Sequence, residues 1–164
     1  MTGRPTSAIV VTAMLLTLAG QFPAVARGGI RPEDPWSPTH IAQLPPEIRV
    51  DVKHATSGCE APIAALHLLS RRIHDRTSGE RFIAIHFDEL WCANRPAICT
   101  RTGCLHQVYV SSNSKYRRVW SGYAREIELK HFGDHAAIEI TCDHSAGECS
   151  RLLRWDGKRF RLAK

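Results

Sequence analysis

After Leu18 the chain contains no apolar run approaching the roughly 20 residues of a membrane-spanning helix, so no helical span is expected downstream. It also lacks any C-x2-C pair, and neither of its cysteine–histidine clusters, Cys92, Cys99, Cys104 and His106 or Cys142, His144 and Cys149, has the paired C-x2-C or H-x3-H spacing that most often frames a zinc site. No nucleophile motif, phosphate-binding loop or paired-carboxylate pattern occurs, so no reaction can be read from a motif. No cysteine closely follows the N-terminal apolar run, which argues against a lipid anchor there.

What the N-terminus does contain reads as an export signal. Arg4 supplies a positive start, Ala8 to Leu18 is an eleven-residue apolar run, and Ala24-Val25-Ala26 is an A-x-A cleavage triplet. Residues 1–26 are therefore expected to be removed, and the protein to be periplasmic or secreted after cleavage near Ala26. The 138 residues from Arg27 to Lys164 suit one domain with a modest core. Within them, 27–37 carries Gly28, Gly29, Pro32 and Pro35 without periodicity and reads as an extended arm, leaving 38–164 as a single α+β domain. Losing Arg4 takes the formal charge from +6 to +5, a mild excess that favours anionic partners weakly.

All six cysteines, Cys59, Cys92, Cys99, Cys104, Cys142 and Cys149, follow the cleavage point. An even count in an exported chain reads as a disulfide framework. Three fall between Cys92 and Cys104, in a segment rich in Asn, Pro, Gly and Thr that cannot form a regular element and needs cross-links to hold one shape. Cys142 and Cys149 lie on the inward phase of consecutive strands joined by a six-residue loop, so they are expected to pair, worth roughly 2–3 kcal/mol in the chain-entropy picture. The pairing of Cys59, Cys92, Cys99 and Cys104 stays open, although Cys59 is well placed to tie the helical half to the sheet.

Pro45-Pro46 cuts short the turn started at Ser37-Pro38, and Pro46 opens a helix to about Ala55 with Ile48, Val52 and Ala55 on one side. Helical spacing of Ile63, Leu66 and Ile73 predicts a further helix over Pro62 to His74. Arg81 to Phe87, RFIAIHF, is almost continuously apolar and reads as a strand covered on both faces. Short strands follow at 105–110, 116–120, 126–132, 136–142, 150–155 and 158–162, the pattern of an antiparallel meander. Ile127, Leu129 and His131 alternate with Glu126, Glu128 and Lys130, as Ile138, Ile140 and Cys142 do with Ala137, Glu139 and Thr141, leaving one face wet. Asp156-Gly157 predicts a two-residue turn that sets Trp155 opposite Lys158, Leu153 opposite Phe160 and Arg154 opposite Arg159. The expected fold is thus α+β, two short N-terminal helices packed on a disulfide-braced antiparallel meander.

Gly103-Cys104-Leu105-His106-Gln107-Val108-Tyr109, with Phe82 to Phe87 and Leu44-Pro45-Pro46-Glu47-Ile48-Arg49 upstream, resembles a group of small exported alphaproteobacterial proteins of unassigned activity. The resemblance spans most of the chain beyond Ala26 and implies an exported small domain. It supplies no catalytic residue.

Two functional classes follow. The first is a non-enzymatic binding module. Arg154, Arg159 and Arg161 would share the face of the last hairpin away from the core, and like charges placed opposite one another call for an anion or a carboxylate such as Glu139 or Glu148 between them. The partner would be an acidic protein or an anionic envelope polymer, with Trp91 as a further contact. Arg117 and Arg118 before Trp120 make only a faint basic stripe, which argues against nucleic acid. The second class is a small basic hydrolase of the phosphodiesterase or ribonuclease type, using His86, His106 or His131 as acid and base and Lys115 or an arginine to stabilise the anion. Cysteine-based zinc binding, through Cys92, Cys99, Cys104 and His106 or through Cys142, His144 and Cys149, is disfavoured by an oxidising compartment, and no cofactor is expected. The reading leans to the binding module.

Overall fold

A computed structural model describes residues 36–94, 98–141 and 150–163. Helix α1, Pro38–Ala42, starts where the Ser37 hydroxyl accepts from Thr39 N at 3.2 Å and Pro38 takes the first turn. Helix α2, Pro46–Ala55, follows after Pro45, with Glu47 in its first turn and Lys53 and His54 in its last, in keeping with the helix dipole. Ile48 and Val52 are its buried residues.

Among the described residues eleven strands follow: β1 Ala64–Ala65, β2 Ser70–His74, β3 Arg81–His86, β4 Leu90–Trp91, β5 Cys99–Thr100, β6 Gly103–Ser112, β7 Lys115–Ala124, β8 Glu126–Phe132, β9 His135–Thr141, β10 Arg151–Trp155 and β11 Phe160–Leu162. All the pairings are antiparallel. The first large sheet runs β2-β3-β6-β7, with β5 on the β3 side of β6; the second runs β11-β10-β9-β8; β1 and β4 pair separately. The expected α+β class, with two short helices ahead of antiparallel sheets, is what the chain forms, although the meander is divided between two sheets.

The doubly apolar strand reading of RFIAIHF holds, and the period of two explains it. Ile83 and Ile85 face the helices, packing in one core cluster with Leu44, Ile48, Val52 and Tyr109. Phe82 and Ala84 face the second sheet, in another cluster with Val108, Val110, Ile127, Leu129, Ile138 and Trp155. The first sheet is therefore the middle layer, covered by helices on one side and by the second sheet on the other. The alternating phase expected for Ile127, Leu129, Ile138 and Ile140 matches the register Ile127↔Ile140 and Leu129↔Ile138.

Three expectations are corrected. The segment Pro62 to His74 is not a helix: it forms β1, a 3-10 turn at His67–Leu69, and β2. Ala65 and Leu69, four apart, are both buried, which mimics a helical stripe, but Ser70 to His74 instead pair residue by residue with Ile85 to Arg81. Edge pairing to an apolar strand outweighs local spacing in so short a run. The β10–β11 register is the second. Trp155 opposes Phe160, Arg154 opposes Arg161 and Leu153 opposes Leu162. A two-residue type I′ turn needs positive φ at both central residues; Gly157 has φ +90°, but Asp156 is not among the positive-φ residues. Asp156 instead accepts from the backbone N–H groups of Lys158 and Arg159 at 2.9 and 2.8 Å, which widens the loop to 156–159. Such a two-residue turn occurs earlier in the chain, in the β6–β7 hairpin, where Asn113 and Ser114 at φ +48° and +65° join Ser112 to Lys115. The hairpin strands β6 and β7 are accordingly longer than the runs 105–110 and 116–120 expected for them.

Two disulfides order the irregular middle. Cys59–Cys92 ties the residues after α2 to the end of β4, as Cys59's position suggested. Cys99–Cys104 spans cross-strand partners of β5 and β6. Both pairs suggest an oxidising, extracytoplasmic compartment. They also remove Cys92, Cys99 and Cys104 as thiolate ligands. No helix among the described residues is long and apolar enough to cross a membrane. The expected Cys142–Cys149 bridge, His144, Glu148, the export signal and the arm up to Pro35 lie outside the described residues.

Candidate functional site

The row of β3–β6 cross-strand pairs facing the second sheet reads Phe82↔Val110, Ala84↔Val108, then His86↔His106. Two apolar pairs thus end in a pair of imidazoles, with ring centroids 5.2 Å apart and planes at 77°. Immediately after β3 the chain makes a 3-10 turn, Phe87–Glu89, which buries Phe87 and brings Asp88 back beside the two histidines. Asp88 Oδ1 lies 3.8 Å from His106 Nδ1.

The two histidines are buried, His86 at 8% exposure and His106 at 0%. His106 Nε2 lies 3.2 Å from the Ala124 carbonyl. A carbonyl only accepts, so Nε2 carries the proton and Nδ1 presents a bare lone pair toward Asp88. Among the described residues, neither His106 Nδ1 nor His86 Nε2 has a hydrogen-bond partner. Leaving a buried polar atom unsatisfied costs on the order of 1–3 kcal/mol, so two such atoms in one place are unusual.

Electrostatics keep both rings neutral. Burial pushes His86 down to about 4, with His106 and Arg71 adding to the effect and Asp88 opposing it. Burial also lowers His106, against the pull of Asp88, the Ala124 carbonyl and Glu126. Neither is a proton donor near neutral pH.

His86 and Asp88 open onto a cleft of about 960 Å³ between β2 and β8. Arg71 and Arg72 from β2 and Arg125 beside β8 line it, together with Glu89, Glu126 and Glu128. The lining therefore carries charge of both signs, unlike an apolar pocket.

Of the histidines singled out from the sequence, only His86 and His106 are brought together. His131 sits on β8 and donates from Nε2 to the His74 carbonyl at 2.7 Å, linking the two sheets as a hydrogen-bonded structural histidine. Lys115 is at the β6–β7 turn. Trp91 is 41% exposed on β4, a different sheet from the arginines of the last hairpin. Arg154 and Arg161 are exposed cross-strand neighbours, and Arg159 is exposed in the loop before β11. Arg161 pairs with Asp156, while Glu139 binds Lys130 and accepts from Ser150. Arg117 stacks over the Trp155 ring at 5.7 Å and Arg118 pairs with Asp51 at 3.5 Å, so the faint basic stripe is engaged internally. Asp88, Arg71, Arg72 and Arg125 were missed by sequence reasoning. Only the His86-x-Asp88 spacing at the end of an apolar strand could have drawn notice to the first.

No protein-family model, no curated protein and no solved structure matches this chain.

Proposed function

We propose that the protein is an exported binding module, released to the periplasm or medium by cleavage near Ala26, that takes a small charged ligand in the cleft between β2 and β8. The observation that carries this reading is the cleft itself. A concavity of about 960 Å³, lined by charges of both signs and by the buried His86 imidazole, is the kind of place where a few polar groups fix a small ligand's orientation. An acidic protein or anionic polymer on the Arg154, Arg159 and Arg161 face has less support, because Asp156 already neutralises Arg161.

The pairing of His86 with His106 favours the second reading, a histidine-dependent phosphodiester hydrolase. Metal-free cleavage of that kind needs one protonated imidazole as general acid, and burial holds both rings neutral. His131, the third candidate, is held by the His74 carbonyl.

One experiment separates these readings. The oxidised, zinc-free protein is titrated with glutamate, arginine, inorganic phosphate and heparin while backbone amide NMR shifts are followed. Shifts concentrated at 70–73 and 125–129 are expected with a small probe. Shifts only at 151–162, with heparin, would move the site to the hairpin, and no shift with any probe contradicts the cleft reading. Digestion of RNA by wild type but not by His86→Gln, with metal removed, would establish the hydrolase instead.

A further inference from the structure

We propose that His86, Asp88 and His106 form a site for one divalent transition-metal ion of the zinc class, with its open side toward the cleft. The inference deepens the binding reading by naming an occupant of the cleft wall. One ligand atom from each of the three residues lies within 4.8 Å of the others. Tetrahedral zinc with bonds near 2 Å has ligand atoms about 3.3 Å apart, so loading draws the three together by at most about 1.5 Å. His86 and Asp88 stand at the cleft wall, where side-chain rotation can supply that movement.

Two further features suit a metal better than an organic ligand. The His106 ring is oriented by its Nε2–H to the Ala124 carbonyl, the arrangement that holds a metal-binding imidazole by its other nitrogen. Both histidines have a buried nitrogen without a hydrogen-bond partner, and a cation coordinated there would satisfy both at once. Two imidazoles and one carboxylate favour zinc, copper and nickel over magnesium or calcium, which prefer all-oxygen shells. The set provides three protein ligands, and the fourth position faces the cleft, where water or an anionic group of a second ligand would complete the shell.

The test uses the oxidised protein, stripped with a chelator, desalted and titrated calorimetrically with zinc chloride. One zinc per chain is expected. Asp88→Asn and His86→Gln should weaken it at least about 100-fold, since even outer hydrogen-bonding partners of metal ligands are worth 10–100-fold. His54→Gln, an exposed position on α2, should leave affinity unchanged. Thermal transitions and thiol titration of each variant check folding. Should His86→Gln fail to fold, Asp88→Asn decides the matter, together with the visible spectrum of the cobalt(II) form, which should show the strong bands of four-coordinate metal. No zinc uptake, or equal affinity in wild type and Asp88→Asn, overturns the site. Cleft shifts with small probes in protein that takes up no zinc would sink the metal while sparing the cleft; loss of the probe shifts with zinc binding intact would do the reverse.

Discussion

Asp75 Oδ2 accepts the backbone N–H of Ala136 at 2.7 Å, joining the turn after β2 to the start of β9. Its other oxygen accepts from Thr77 N, Ser78 N and the Ser78 hydroxyl at 3.0, 2.8 and 3.1 Å. The residue is buried, and one carboxylate thus links the two sheets while ordering its own turn.

Acid should release this clamp. Burial raises the Asp75 pKa, but the hydrogen bonds from Ser78, Ala136 and Thr77 together outweigh it and leave the carboxyl below its ordinary value. On acidification the unfolded chain therefore takes up this proton first, so the stability Asp75 contributes is present above about pH 4 and lost as pH falls through its folded pKa. Asp75→Ala, which leaves Ala136 N–H buried without a partner, should lower stability at pH 7 by about 3 kcal/mol. Urea unfolding from pH 7 to pH 2 should show this gap narrowing below pH 4. A constant gap would assign the loss to packing.

The two described disulfides should be unequal. Their residues are 33 and 5 apart in sequence. In the chain-entropy picture, removing Cys59–Cys92 as a double alanine variant should cost about 4 kcal/mol and removing Cys99–Cys104 about 2 kcal/mol. Denaturant unfolding of the two variants gives the order directly, and the reverse order would show that native-state contacts, rather than loop closure, set their worth.

Gly103 should not tolerate a side chain. It has φ +139°, and a Cβ built there would overlap the Ala124 carbonyl. Gly103→Ala must move that backbone, costing on the order of 3 kcal/mol. The same carbonyl orients His106, so the variant should also weaken zinc binding in whatever fraction folds. Unaltered zinc affinity in Gly103→Ala would show that the Ala124 carbonyl does not position the ring.

Much of the fold was legible because its strands announce themselves. RFIAIHF had to be buried on both faces, and the alternation of Ile127, Leu129 and Ile138 set the wet and dry sides of β8 and β9. The helix from Pro46 followed from its proline start and the Ile48–Val52 stripe. Ile63, Leu66 and Ile73 misled because helical spacing also arises in a turn followed by an edge strand. The site was half visible. His86 and His106 each read as notable alone, but their opposition depends on a β3–β6 register set across twenty residues by the apolar pairs preceding them. The arginines and carboxylates of the cleft come from β2, from the Phe87–Glu89 turn and from Arg125 and β8, segments divided between two sheets, and no spacing in the chain connects them.

The central claim, that two imidazoles and a carboxylate at the end of the β3–β6 row hold a metal, is tested most directly by anomalous diffraction at the zinc absorption edge from crystals grown with one equivalent of zinc. The account predicts one anomalous peak per chain, within bonding distance of His86, Asp88 and His106. A peak bound elsewhere, with that triad empty, would contradict it.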